Sequence, residues 1–209
     1  MEIIILLNII SVFVFSISAS LSAINRKFDM FGIVLISFVT SVGGGTVRDI
    51  LLGNFPIAWL NDLSYPVTIF FGTMASFLFT KKLNKFKRTY FWFDTIALST
   101  TTIIGIHKGL DVGINPFISV TLGLISAVFG GIIRDTLCNE VPLVFRKGIY
   151  ASACIFGGII YVILYVLEVK EYISMPVTIG IIICIRYYSI KHKLNLPNYK
   201  NKLRGIKNV

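Results

Sequence analysis

Charge is scarce in this chain. Of 209 residues, 14% are Asp, Glu, Lys or Arg and 55% are apolar, whereas a soluble domain usually carries about 25% charged and about 45–50% apolar residues. That shortage excludes most soluble enzymes and nucleic-acid binders. Cysteine is thin as well. Cys138, Cys154 and Cys184 lie in or beside apolar runs without any Cys-x-x-Cys, which excludes a disulfide framework or zinc site by spacing. They read as small buried apolar residues. The two histidines, His107 near the end of an apolar run and His192 in a polar tail, are read as having no second His, Cys or acid at ligand spacing. No glycine run ends in Gly-Lys-Ser/Thr, so no nucleotide loop is present. The expectation is a protein that is no enzyme and needs neither metal nor cofactor.

What the chain has instead is long apolar runs. Charge-free stretches cover 3–25, 30–47, 63–80, 112–133 and 148–167, and shorter ones cover 95–107 and 172–185. A bilayer core takes roughly 20 apolar residues per helix. The pattern predicts an all-α membrane protein with seven helices near 3–24, 29–53, 63–80, 90–108, 114–138, 147–167 and 172–190. These form one membrane unit over 1–190, followed by a basic tail over 191–209. Met1-Glu2-Ile3 enters the first run without a positive segment ahead of it, which fits a retained first helix better than a cleaved signal.

The net charge of +10 then becomes a topology signal. The first, third and fifth connections plus the tail carry 17 Lys and Arg, and the opposite side carries only Arg48, Lys108 and Lys170. Cytoplasmic loops hold the excess of bases, so the N-terminus is expected outside and the C-terminus in the cytoplasm. The basic face would attract anionic membrane lipid rather than nucleic acid. Tyr90, Phe91 and Trp92 beside the basic third connection read as an interfacial anchor.

A duplicated stretch is the most informative feature. Gly44-Gly45-Thr46-Val47-Arg48-Asp49-Ile50-Leu51 returns as Gly130-Gly131-Ile132-Ile133-Arg134-Asp135-Thr136-Leu137, with Pro56 and Pro142 at the same shift of 86. Over 44–59, six of 16 positions are identical. The copies fall in the second and fifth spans, three spans apart, and an odd number of spans reverses direction. Helices one to three (about 3–80) and four to six (about 90–167) are therefore expected to form an inverted repeat, with the seventh added. Inverted repeats place a pathway near the midplane at the repeat interface.

Gly43-Gly44-Gly45 and Gly130-Gly131 fall near mid-span. Adjacent glycines suit a break in the helix, whose freed backbone would line a wet path; close helix packing is the alternative. Arg48-Asp49 and Arg134-Asp135 follow one turn later, where charge is costly and marks function by default. Side chains at i and i+1 diverge by about 100°, so each Arg is expected to pair on another helix and brace the opposite half, or else to snorkel to headgroups. Ser37, Thr40, Ser41 and Ser126 precede the glycines and could replace ion hydration or merely bond backbone carbonyls. Asp29 and Asp94 read as acids that complement helix dipoles.

GGGTVRDILLGNFPIAW and its partner GGIIRDTLCNEVPLVF resemble the prokaryotic branch of the trimeric intracellular cation channels, also called a glycine transporter family. The resemblance implies a homotrimer in the inner membrane of a prokaryote, each protomer with its own pore for monovalent cations, chiefly K⁺. It implies that kinked second and fifth helices line that pore. Carried onto this chain, the implied residues are Gly43, Gly44, Gly45, Arg48 and Asp49, with Gly130, Gly131, Arg134 and Asp135; Ser41 and Ser126 join them from the hydroxyl reading. Phe129 stands where the second copy would need the first glycine of the triplet. A carrier for glycine or another small amino acid is the competing expectation.

Overall fold

The computed structural model describes residues 2–83, 89–146, 149–192 and 194. All regular structure among them is helical. The long helices are α1 (Glu2–Asn25), α2 (Met30–Leu51), α4 (Ser64–Leu83), α5 (Thr89–Asp111), α6 (Pro116–Leu137), α8 (Ala151–Val166) and α9 (Glu171–Lys191). Two single-turn helices, α3 (Ala58–Asn61) and α7 (Leu143–Arg146), follow α2 and α6. By length and composition four described helices can cross a membrane: α1 from Ile3, α2, α6 and α9; α8 is apolar but shorter. The basic third connection and most of the tail lie outside the described residues.

Local chemistry sets the ends. Asp29 caps α2 by accepting from the Gly32 N–H at 2.8 Å, the role expected of an acid before the first turn. Asn115 does the same for α6, accepting from Phe117 N–H at 3.0 Å, with Pro116 at the first helical position, where its missing N–H costs nothing. The exits of α2 and α6 match each other. The N–H of Asn54 bonds the Asp49 carbonyl and that of Glu140 bonds the Asp135 carbonyl, both at 2.8 Å. The preceding residues, Gly53 (φ 64°) and Asn139 (φ 54°), are left-handed. This is the six-to-one closure that glycine and asparagine favour, and it turns each chain back over its own Arg-Asp pair.

Helices α1, α2, α5 and α6 form the centre, with α1 on α5, α2 on α6, and each joined to its sequence neighbour. α4 packs on α1, while α8 and α9 pack on each other and on α5. A dry cluster of Ile103, Ile106, Val120, Ala153, Met175 and Ile182 seats α9. Small residues bring the central helices close. A Cβ on Gly130 would lie 2.5 Å from the Thr40 carbonyl oxygen, and one on Gly44 would lie closer still to that of Ser126. The contact is reciprocal, because positions 40 and 44 correspond to 126 and 130 under the shift of 86.

That contact corrects the expected break. α2 and α6 run unbroken through Gly43–Gly45 and Gly130–Gly131. Their hydrogen-bond ladders stay intact, and the glycines serve backbone-to-backbone packing, the alternative held open above.

Candidate functional site

The two Arg-Asp pairs begin alike. Arg48 Nε donates to Asp49 Oδ1 at 2.9 Å, and Arg134 Nε donates to Asp135 Oδ1 at 2.9 Å. Neighbours at i and i+1 do pair here, contrary to the helical-wheel expectation. Both acids stand in the last turn, and the long guanidinium stem swings back to reach them. The second carboxylate oxygen caps the short helix beyond the turn: Asp49 Oδ2 accepts from Ala58 N–H at 3.2 Å and Asp135 Oδ2 from Leu143 N–H at 2.9 Å. Neither arginine snorkels, for Arg48 is 2% exposed and Arg134 is 0%.

Beyond this shared core the halves diverge. Arg134 Nη1 donates to Asp94 Oδ1 at 2.9 Å and to Ser18 Oγ at 3.1 Å. Arg186 of α9 places Nη1 and Nη2 each 3.1 Å from Asp94 Oδ2. Tyr150 lies under Arg186 at 4.3 Å, and Tyr90 under Arg134 at 4.8 Å. Asp94 is wholly buried between two cations. It is therefore the hub of an ion cluster and not the dipole partner expected of it. Phe91 also faces Arg186, at 5.1 Å, so only Trp92, stacked on Tyr187, keeps the exposure expected of an anchor. Of the cross-half bracing, the Ser18 bond is what the second motif makes.

Arg48 instead faces a pocket of about 360 Å³, mouth included, lined by Asn8, Ser11, Ser41, Gly45, Asp49, Trp59, Tyr65 and Thr101 among others. Lys108 of α5 reaches Asp49 Oδ1 at 3.6 Å, and Ser11 and Thr101 close on each other at 2.6 Å. A second pocket, of about 630 Å³, opens beside Asp135 among Ser22, Asn25, Arg26, Tyr90, Glu140 and Leu143. There Glu140 pairs with Arg26 and Arg146. Among the described residues no metal-binding group of three His, Cys, Asp or Glu occurs.

Buried hydroxyls are frequent on the central helices: Ser16, Ser18 and Ser20 on α1, Ser37, Thr40 and Ser41 on α2, and Thr100 on α5, with Ser20 and Ser37 meeting at 2.6 Å between α1 and α2 and Ser16 turned to Gly72 of α4. Several give their proton to their own helix, as Ser41 does to Ser37 O at 2.7 Å, Ser37 to Ile33 O at 2.7 Å and Ser20 to Ser16 O at 2.8 Å. A hydroxyl so bonded still presents lone pairs.

The expected site residues thus separate into groups. Ser41, Gly45, Arg48 and Asp49 meet at the first pocket, and Asp135 lines the second. Gly43, Gly44, Gly130 and Ser126 lie in the α2–α6 contact, where Ser126 Oγ donates to the Gly44 carbonyl at 3.2 Å. Gly131 packs under Arg134 and Tyr150, away from both pockets. Asp94 and Arg186 were missed, because each sits near a helix end and reads as an interfacial charge. Asn8 carried a signal that went unread, since it aligns with Asp94 under the shift of 86. Cys138 and Cys154 are buried as expected, whereas Cys184 is exposed. His107 does have acids at hand, Asp111 four residues on and Glu171 across on α9.

Comparison with known proteins agrees with this architecture. The family described as glycine transporter matches twice, over residues 5–81 and 91–166, so the second match starts 86 positions after the first. The inner membrane protein YadS of Escherichia coli K12 is 35% identical over 202 residues, covering 92% of this chain and 94% of that one. A membrane protein of Vibrio cholerae is 32% identical, covering 93% and 82%. The trimeric intracellular cation channel orthologue of Rhodobacter sphaeroides superposes with a TM-score of 0.88 at 29% identity, over 93% of this chain and 100% of that one. A prokaryotic channel of the same kind, solved in 0.5 M KCl, gives 0.86 at 36% identity, over 93% and 99%. This all-helical membrane chain belongs to the glycine transporter family, to which the prokaryotic trimeric intracellular cation channels are akin in sequence and fold.

Proposed function

We propose that the chain is a channel for monovalent cations, chiefly K⁺, with a pathway inside each protomer of a homotrimer. Its seven long helices cross the inner membrane of a prokaryote, N-terminus outside and C-terminus in the cytoplasm, as the bias of bases supports. The two halves are inverted copies, a reading supported by their matching helix exits and reciprocal glycine contact. Domain limits follow: a membrane unit over 1–190, a basic tail over 191–209.

The observation that carries the channel reading is the run of buried hydroxyls on α1, α2 and α5, from Ser11, Ser41 and Thr101 at the Arg48 pocket to Ser20 and Ser37 further along α1 and α2. Hydroxyls whose protons are spent on backbone carbonyls offer lone pairs inward, and lone pairs replace the hydration of a cation. An anion would need the opposite, donors. Arg48 and Asp49 stand at the outer mouth, where the guanidinium repels a cation unless its carboxylate is freed to face the path. Ser11–Thr101 and Ser20–Ser37, each at 2.6 Å, close the path in this conformation. The likeness to solved cation channels over most of the chain favours this reading over a glycine carrier.

The test is a planar-bilayer recording of purified protein under a KCl gradient, repeated with glycine added. Unitary currents reversing near the K⁺ potential are expected. A quiet bilayer, with labelled glycine entering liposomes made from the same preparation, overturns the channel and establishes the carrier.

A further inference from the structure

His107 is out of place for a side chain in an apolar helix end. It is 2% exposed, yet its Nε2 stands 3.2 Å from Asp111 Oδ2 on α5 and 3.7 Å from Glu171 Oε1 on α9. Both carboxylates are half-exposed and in touch with water. The other ring nitrogen, Nδ1, lies 2.9 Å from the Tyr161 hydroxyl on α8. One imidazole therefore joins the end of α5, the interior of α8 and the start of α9.

The site accepts either charge state. In neutral imidazole, Nε2–H faces the carboxylates and Nδ1 accepts from Tyr161. In imidazolium both nitrogens donate, and Tyr161 turns its oxygen to Nδ1, because a phenol gives or takes a hydrogen bond. With the ring neutral, two carboxylates from different helices lie side by side at Nε2 with only one N–H to share. A protonated ring offsets the charge of both and draws them in. Lys108, the next residue of α5, turns its amine to Asp49. α6, packed on the same stretch of α5, has no titratable side chain between Pro116 and Arg134.

We infer that His107, Asp111 and Glu171 form a proton-operated latch between α5 and α9 on the face where α1 begins. The latch acts on the outer mouth because Lys108, the next residue of the same turn, holds Asp49 and through it Arg48. A proton on His107 ties the α5 end to α9 and favours the closed arrangement described above. Acid on that face therefore closes the mouth and neutral solution releases it.

Two measurements test the latch, and its electrical readout alone rests on the channel reading. In bilayers, lowering the pH on the α1-start face from about 7.5 to about 5.5 should reduce open probability about fivefold, the scale of one well-placed partly exposed ion pair. The same change on the opposite face should leave it unaltered. His107→Gln should make the response flat, and so should Glu171→Gln, which keeps the imidazole and removes the α9 arm. Independently of any current, hydrogen exchange corrected for intrinsic pH effects should slow at amides 108–113 and 170–174 in the wild type on acidification, and not in either variant. Equal exchange responses in wild type and variants overturn the latch, whether or not the protein conducts. Slowed exchange with an unchanged open probability overturns its control of the mouth. A protein that never conducts but shows the exchange response keeps the latch and refutes the channel.

Discussion

The halves of this molecule start from one motif and use it in opposite ways. In the second half Arg134 is clamped by two carboxylates, a serine and an aromatic ring, and α9 adds Arg186 to the same acid. In the first half Arg48 has its own Asp49 and then a pocket. The divergence reduces to equivalent positions: Asp94 in one half is Asn8 in the other, and Ser18, which bonds Arg134, corresponds to Ile104. A duplicated motif can thus become an anchor where a neighbour supplies countercharge, and the wall of a pocket where it does not.

The largest effect should come from the anchor. Asp94→Asn leaves Arg134 and Arg186 buried without their shared anion, and breaking a buried pair costs about 3–5 kcal/mol. The melting temperature of the detergent-purified protein should fall steeply, or the protein should fail to accumulate. Arg134→Ala should do the same by taking one of two cations from Asp94 and the partner from Asp135, while Arg48→Ala, which leaves Asp49 with Lys108 beside it, should lose less. Equal losses in the two arginine variants would dissolve the contrast between the halves.

A smaller loss is expected at the helix contact. Gly44→Ala forces a methyl against the Ser126 carbonyl, and overpacking of this kind costs about 1–3 kcal/mol. Gly45→Ala, where the nearest atom would be 3.6 Å away, should be nearly silent in the same melt. If the two variants behave alike, the glycines are not there for proximity.

The smallest change in stability should have the sharpest functional reading. Asn8→Asp gives the first half the carboxylate that the second possesses, so Arg48 gains a second countercharge beside its pocket. Single-channel recording should show rarer openings with no loss of folded protein. Arg48→Ala should move in the other direction, with openings more frequent or current larger. Wild-type traces from both would remove Arg48 from the mouth.

Much of this was legible in the residues. Charge-free runs locate the long helices because a bilayer leaves backbone groups no partner but their own helix, and Asp29 announces its cap. The repeat was visible as a pattern, and its shift of 86 led to both Arg-Asp pairs. What stayed hidden depends on approach between distant segments. The reading of Gly43–Gly45 as a break failed because glycine's low helix propensity was weighed without the neighbour that needs its bare surface. Asp94 and Arg186, 92 residues apart, each look like an end-of-helix charge until α9 is laid against α5. The single-turn helices α3 and α7 are too short for periodicity to reveal, and Pro56 and Pro142 marked only where the chain turns.

The Asp94 cluster also bears on how the chain is made. Its first cation, Arg134, emerges 40 residues after the acid, and its second, Arg186, 92 residues after. At about 5–20 residues per second, the ribosome takes roughly 5–18 s to deliver the second partner. Through that interval the carboxylate has at most one of its two cations, and α9 completes the cluster by arriving last. Docking of α9 is thus a closing step in assembly, and a ribosome stalled before residue 186 would leave its nascent chain with an unfinished centre.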